Sequence, residues 1–175
     1  MLFYTPLDIA IFLFVSNFAQ SEEREVIQGI WEKEIKSIQT EYRMSKILFK
    51  RHIYFELAKL DDARNGFNEI NELDILLKDT GQTFDISSII NEQEIIEHYF
   101  KTIKLELTYN KRNSYRKIKL RQLLKQFGYK RRSAKLVDDM RHVINTLGLK
   151  TYLKNRILCD IGEISIDDMI MLRLE

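Results

Sequence analysis

The residues best suited to chemistry in this sequence are the Lys and Arg side chains between residues 101 and 156. That stretch carries seventeen of them against three acids, whereas residues 1–100 carry ten against eighteen. Ammonium and guanidinium groups bind phosphate through charge-assisted hydrogen bonds, and a cluster of them releases counterions from a polyanion. The formal net charge of +2 therefore conceals a basic second half, for which polyanion binding is the predicted chemistry.

The positions of these residues in the sequence predict that much of the charge lies in three clusters. Lys117, Arg121 and Lys125 recur every four residues, which predicts a basic ridge along one helix. The turn before the next helix and the tip of a predicted hairpin supply the other predicted nucleic-acid contacts, namely Lys130, Arg131, Arg132, Ser133, Lys135, Lys154 and Arg156. Asp138 and Asp139 lie one turn inside that second helix, where they would repel phosphate. Contact with the DNA backbone is therefore favoured over the reading of bases.

Catalytic and metal-binding patterns are poor. His52, His98 and His142 are far apart, and none has a second ligand at the spacing that a zinc site requires. Residues 56–59 match a short nuclease fragment, but they lie in a helical pattern and lack an upstream aspartate on a strand. Cys159 lies in an apolar strand, where a thiol is usually buried and inert. The sequence thus predicts a non-catalytic protein with no cofactor and no metal.

The composition is that of a globular intracellular protein. Hydrophobic residues make up 45% of the 175 and charged residues 31%, which is sufficient for a substantial core. A single cysteine excludes an internal disulfide framework and favours a reducing compartment, so a cytoplasmic location is expected. The apolar run Ile9–Val15 is shorter than the roughly 20 residues that a membrane-spanning helix needs. It therefore predicts a buried helix and no membrane contact.

The first hundred residues predict a helical region. Apolar spacing favours a helix from about Pro6 to Phe18, a second one capped by Ser21, and a helical pattern that resumes at Ile47 and reaches Leu60. Spacing does not fix the break between the second helix and that pattern. The predicted anchors for a protein partner are aromatic, namely Trp31, Tyr42, Phe49, Tyr54 and Phe55. The alternative is that these side chains fill an ordinary helical core.

The second half predicts a pair of capped helices. A helix at about 91–107 precedes one that is capped by Ser114 and closed by Gly128. The next helix is capped by Ser133 and closed by Gly148, because glycine readily adopts the left-handed conformation that ends a helix.

Extended patterns follow this pair. Residues 149–153 and 157–161 predict a hairpin, beside which residues 169–174 can add a strand. The predicted fold is therefore mainly α with a small C-terminal β-sheet, which is an α+β class. The predicted organisation is a helical assembly region at 1–108, with an acidic connector at about 61–90, and a basic region at 109–175 whose first helix comes from about 91–107.

Helix, turn, helix and basic-tipped hairpin resemble a winged helix-turn-helix domain. The resemblance implies that the second helix, about Ala134–Leu147, approaches the major groove with its N-terminal end. It also implies that Lys154 and Arg156 place positive charge at the tip of the wing.

A second resemblance concerns the whole chain. An apolar helix opened by Tyr4-Thr5-Pro6-Leu7 and joined to a C-terminal winged helix is similar to the small accessory subunits of SMC-like ABC ATPase defence systems, of the Lamassu or three-component type. That likeness implies an ATPase and an effector nuclease as protein partners. The leading hypothesis is a non-catalytic accessory subunit that combines protein assembly with mainly sequence-independent DNA binding. The alternatives are a winged-helix transcriptional regulator and a protein-docking winged helix that binds no nucleic acid.

Overall fold

The described residues form two compact units, one containing residues 3–60 and the other residues 92–175. Most of their elements are helices, and a three-stranded antiparallel sheet lies near the C terminus. The predicted α+β class is therefore confirmed. The predicted connector at about 61–90 lies outside the residues that this computed structural model describes, which are 2–43, 45–60, 92–110 and 114–175.

The first unit consists of three helices. Helix α1 spans Pro6–Ser16, α2 spans Gln20–Lys33 and α3 spans Lys46–Leu60. Two short 3-10 helices, Ile35–Ser37 and Thr40–Tyr42, separate α2 from α3. They supply the break that apolar spacing alone left open. Helix α1 packs against α3 to form the core of this unit.

A capping box starts α1. The Thr5 amide and hydroxyl donate to the Asp8 carboxylate at 2.7 and 3.0 Å, and the Asp8 amide donates to Thr5 Oγ1 at 3.3 Å. Pro6 occupies the first turn, where its missing amide leaves no bond unmade. Asn17 ends the helix in the left-handed conformation, with a φ of 49°, just before the predicted end at Phe18.

Most of the apolar run in α1 belongs to the core, as predicted, but its last two residues, Phe14 and Val15, are exposed. Four of its side chains have no exposed surface, namely Ile9, Ala10, Phe12 and Leu13. Within the described part of the chain, no helix combines the length and the apolar character needed to cross a membrane.

The start of α2 differs from the prediction of a Ser21 cap, which was wrong. Ala19 is the N-cap residue, and its amide donates to the Glu22 carboxylate at 3.1 Å. A glutamate at the third helical position can satisfy this amide without a hydroxyl at the cap. The helix therefore begins two residues earlier than predicted.

The second unit alternates helices with short strands. Its sheet has the order β1-β3-β2, and both pairs are antiparallel, so the last strand of the chain lies in the middle. The elements in chain order are α4 (Glu92–Tyr109), β1 (Arg116–Lys119), α5 (Leu120–Gln126), α6 (Ala134–Thr146), β2 (Leu149–Tyr152), a 3-10 turn at Lys154–Arg156, and β3 (Met169–Leu174).

One apolar core joins the helices and the sheet of this unit. Helix α4 contributes Ile96, Phe100 and Ile103 to a cluster that also includes Leu123 of α5 and Ile170 of β3. The helix at about 91–107 therefore belongs with the second unit, although the predicted division between regions fell at 108/109.

The predicted helix capped by Ser114 was wrong at its start. Residues Arg116–Lys119 form β1, with Ile118 facing the core, and α5 begins only at Leu120. The cause is distant in sequence, since β1 pairs with β3 and Ile118 lies opposite Ile170. Tertiary pairing decides the conformation of so short a segment.

The predicted hairpin is only partly formed. β2 pairs along its length with β3, and Met169–Leu174 is confirmed as a strand. The segment after the 3-10 turn meets β2 through a single bridge between Tyr152 and Leu158, together with a Leu153 amide that donates to Ile157 O at 2.8 Å. A short hairpin tip, residues 154–158, therefore projects from a sheet whose main partner strand comes later.

Candidate nucleic-acid interface

Local sequence positions α6 as predicted. The Leu136 amide donates to Ser133 Oγ at 3.2 Å, which confirms Ser133 as the N-cap. Gly128 and Gly148 have φ values of +81° and +67°, so both adopt the left-handed conformation that ends the preceding helix. Helix α6 thus lies between two turns that its own sequence defines.

Helix α6 buries one face and exposes the other. Its apolar stripe includes Leu136, Val137, Met140, Val143 and Ile144. The opposite, exposed face carries Lys135, Asp138, His142 and Asn145 at intervals of three or four residues. His142 and Asn145 were not among the predicted contacts, although counting helical turns from Lys135 places them on the same face.

The turn before α6 presents cations to solvent. Lys130, Arg131 and Lys135 are exposed, and none forms an ion pair with an acid among the described residues. The N-terminal amides of α6 lie in the same segment and carry the positive end of the helix dipole. This segment can therefore hold a phosphate group by charge and by hydrogen bonds.

Arg132 has a structural role in place of the predicted phosphate contact. Its Nη1 donates to the carbonyl oxygens of Ile161 and Ile164 at 2.8 and 2.7 Å. Both acceptors belong to the segment that leads from the hairpin to β3. The guanidinium thereby satisfies two carbonyl groups that lie outside the sheet.

The predicted ridge of Lys117, Arg121 and Lys125 does not exist as one helix face. Lys117 lies on β1, with its Nζ 5.3 Å from the ring centre of Tyr115, whereas the other two lie on α5. Arg121 donates to both carboxylate oxygens of Asp167, at 2.7 and 2.8 Å. Of the three, Lys117 and Lys125 remain exposed and form no ion pair within the described part of the chain.

Arg141 links α6 to the base of the hairpin. Its guanidinium contacts Asp160 at 2.6 Å and Asp138 at 3.2 Å. The hydrogen bonds from Arg141, with a further one from the Gly162 amide, hold the pKa of Asp160 below its usual value. A Cβ at Gly162 would lie 2.4 Å from Arg141 Nη2, so glycine is required for this close approach.

The contacts of Arg141 reduce the repulsion of phosphate that was expected from the acids of α6. Arg141 compensates part of the charge of Asp138, so the exposed face of α6 is less repulsive to phosphate than its sequence suggests. Arg141, Asp160 and Gly162 were missed in the sequence because their partners are separated by about twenty residues. An Asp-x-Gly turn after an apolar strand was the only local signal.

The hairpin tip is exposed and has an unusual backbone. Lys154, Asn155 and Arg156 form the turn, and the last two have φ values of 64° and 61°. Lys154 and Arg156 are exposed, as predicted. Ile157 and Leu158, which follow directly, are also exposed. The apolar strand pattern at 157–161 did not predict their exposure.

The groups considered for catalysis make local contacts or are partly buried. His52 Nδ1 lies 3.1 Å from the Tyr42 hydroxyl, and burial lowers the pKa of this imidazole. Glu56 and Lys59 form an ion pair at 3.0 Å on α3. Burial raises the pKa of the Cys159 thiol, which disfavours the thiolate. No group of three potential metal ligands occurs among the described side chains.

Two of the predicted aromatic anchors, Phe49 and Tyr54, belong to the core of the first unit. Phe49 has no exposed surface and Tyr54 is 5% exposed, so neither can anchor a partner at the surface. Trp31 and Tyr42 pack on Phe49 with ring centres 5.5 and 5.9 Å away. Lys59 Nζ lies 4.4 Å from the ring centre of Phe55. For Phe49 and Tyr54 the alternative of a helical core therefore holds, whereas Trp31, Tyr42 and Phe55 are half-buried.

Comparisons of the chain with models of protein families, with curated proteins and with solved structures find no match.

Alanine variants of two neighbouring arginines should differ in stability. Arg132→Ala leaves two carbonyl groups without their donor and should lower the unfolding free energy of the second unit by about 2 kcal/mol. Arg131→Ala removes an exposed cation and should leave stability within about 0.5 kcal/mol. Amide hydrogen exchange of α6 and β3 measures both. Equal protection in the two variants would contradict the structural role of Arg132.

The Asp160 pair predicts a pH dependence of stability. Because the folded pKa is lowered, the stabilisation is present above the carboxyl pKa of the unfolded chain, near 4, and is lost as pH falls through the folded value. Asp160→Asn should therefore lower the urea midpoint of the second unit more at pH 6 than at pH 3. Glu163→Gln, at an exposed acid of the same segment, is the control and should show no such difference. A pH-independent effect of Asp160→Asn would rule out this linkage.

Proposed function

We propose that this protein is a non-catalytic accessory subunit whose second unit binds the phosphate backbone of duplex DNA. The observation that carries the proposal is a set of exposed cations with no acidic partner among the described residues, namely Lys117, Lys125, Lys130, Arg131, Lys135, Lys154 and Arg156. Surface cations are usually solvated, but a folded unit that leaves so many unpaired has an electrostatic footprint suited to a polyanion.

The order of elements supports a winged helix-turn-helix assignment for this unit. Helix α4, strand β1, the pair α5 and α6, and strands β2 and β3 follow in the sequence expected of such a domain. In that assignment α6 approaches the major groove with its N-terminal end, where Arg131 and Lys135 lie. The hairpin tip then meets the backbone or the neighbouring groove.

Backbone contact is preferred over base reading because of what α6 exposes. Lys135 and the N-terminal amides suit phosphate, whereas Asp138 remains a carboxylate on the exposed face even when Arg141 contacts it. A phosphate contact positions a protein on a duplex without selecting a sequence. We therefore expect similar affinities for unrelated duplexes.

Removing two of these cations should weaken binding uniformly. We expect Arg131→Ala with Lys135→Ala to lower the slope of log K against log salt by about 2, since each lost phosphate contact removes about 0.9. The loss in affinity should be the same for random and selected duplexes. Fluorescence anisotropy with labelled duplexes from 50 to 200 mM salt measures both quantities.

A matched control removes the same charge from the first unit. Lys33 and Lys36 are exposed there, and Lys33→Ala with Lys36→Ala should leave the slope unchanged. If both double variants lower it equally, the effect is one of net charge and the proposed site is wrong. A selected duplex bound a thousandfold more tightly than random DNA would favour the transcriptional regulator, and no retention at 50 mM salt would favour a protein-docking unit.

The accessory role requires a protein contact, for which the first unit offers a small apolar surface. Phe14 and Val15, near the end of α1, are 42% and 47% exposed, whereas their neighbours Phe12 and Leu13 are buried. The partners implied by the resemblance are an SMC-like ATPase and an effector nuclease. An apolar pair at the end of a rigid helix is suited to such a contact.

The apolar pair gives a separable test of assembly. Phe14→Ser with Val15→Ser should reduce co-purification with the proposed SMC-like ATPase partner by at least about tenfold, which corresponds to about 1.4 kcal/mol. DNA binding should be unchanged. The exposed residues Lys33 and Lys36 again provide the control double variant. Full recovery of the ATPase with the serine variant would exclude this surface.

A further inference from the structure

We infer that the hairpin tip, residues 154–158, acts as an apolar wedge in the minor groove of DNA, so that the protein bends the duplex and prefers one that is already distorted. The inference rests on the proposed DNA binding and assigns a different task to a different surface. Phosphate contacts at α6 hold the duplex, whereas Ile157 and Leu158 deform it.

Exposure singles out these two side chains. Ile157 is 60% exposed and Leu158 is 64% exposed, the highest values among the exposed large hydrophobic residues of the described chain. They are consecutive in the chain and directly follow the turn at Lys154–Arg156. Single exposed apolar residues are common on protein surfaces, but an adjacent aliphatic pair at the end of a projecting turn is a typical contact surface.

The backbone of the tip is held in a strained form. Asn155 tolerates a positive φ well, but Arg156 at 61° does not, and a left-handed residue other than glycine costs about 1 kcal/mol. Glycine at position 156 would remove that strain. Such outliers concentrate at functional sites, where the side chain that causes the strain is needed.

A rigid base supports the tip. The Cys159 amide donates to Thr151 O at 3.0 Å, and Thr151 Oγ1 donates to Cys159 O at 2.6 Å. Asp160, two residues beyond Leu158, is bound by Arg141 of α6. Arg141 therefore links the base of the tip to the helix whose N-terminal turn carries the proposed phosphate contacts.

The charge of the hairpin tip indicates which ligand it binds. Lys154 and Arg156 directly precede the apolar pair, and the nearest acid along the described chain, Asp160, is already paired with Arg141. The tip thus combines positive charge with aliphatic side chains. DNA offers the complementary combination in its minor groove, where phosphates line the edges and a base step can be opened by an Ile or Leu wedge. The groove, about 6 Å wide, admits a narrow turn more readily than a helix.

The test compares two duplexes with the full chain. One is a linear 24-base-pair duplex with a central TA step that carries 2-aminopurine, and the other has the same sequence with a two-nucleotide bulge. The wild-type protein should raise the 2-aminopurine fluorescence. It should also bind the bulged duplex about tenfold more tightly than the linear one, because bases beside the bulge are already unstacked. Ile157→Ser with Leu158→Ser should abolish both effects and keep the salt slope. Met169→Ser, at an exposed apolar residue of β3, should change neither.

The outcomes distinguish this inference from the proposed function. If the wild-type protein binds neither duplex at 50 mM salt, the DNA-binding proposal fails and the wedge fails with it. If it binds both with a steep salt dependence, but the serine variant keeps the bulge preference and the fluorescence rise, only the wedge is wrong. If the serine variant loses binding to vesicles of phosphatidylserine and phosphatidylcholine while its DNA behaviour is unchanged, the tip contacts membranes and the wedge is overturned. Retained circular dichroism shows that the serine variant is folded.

Discussion

The second unit depends on how two arginines hold the segment from Asp160 to Ile164 against α6. Arg132 donates to two carbonyl oxygens of that segment, and Arg141 binds the Asp160 carboxylate. Charge-assisted hydrogen bonds of this kind are roughly twice as strong as neutral ones. The segment leads directly into the middle strand of the sheet, so its position determines where β3 pairs with β1 and β2. At its N-terminal end, the same segment fixes the base of the hairpin tip. Without these contacts the segment would present unsatisfied carbonyl groups and could adopt many conformations.

This constraint divides the basic residues into two kinds. Arg121, Arg132 and Arg141 have multiple short contacts to acids or carbonyl oxygens, and they hold parts of the unit together. Most of the exposed cations that lack an acidic partner are lysines, joined by Arg131 and Arg156. The division follows from side-chain geometry. A guanidinium has five donors in a fixed fork and can join several acceptors, whereas an ammonium is a mobile, strongly hydrated point charge. Lysine is thus suited to phosphate contacts that carry no geometric demand.

Local signals predicted more of the fold than of the site. The Ser133 cap of α6 and the left-handed Gly128 and Gly148 depend on residues within one turn, and all three were predicted from the sequence. The strand β1 could not, because Arg-Lys-Ile-Lys has no strong preference and extends only where β3, about fifty residues later, pairs with it. The roles of Arg132 and Arg141 were hidden for the same reason, since their acceptors lie 19 to 32 residues away. Charge counts treat all arginines alike, so the sequence could predict a basic surface and could not separate its unpaired cations from its structural ones.

The net charge of +2 is a poor guide to the affinity of this chain for a polyanion. At physiological ionic strength the Debye length is about 8 Å, so a phosphate responds mainly to charges within that distance. A charge count over the whole chain therefore does not give the potential at any one surface. Acids close to the cations matter more, and in the second unit Asp138, Asp160 and Asp167 are each engaged by an arginine. Structural ion pairs would thus serve the proposed binding indirectly. By engaging these three carboxylates, Arg121 and Arg141 would reduce the repulsion that a duplex meets, and the lysines without an acidic partner could act on phosphate.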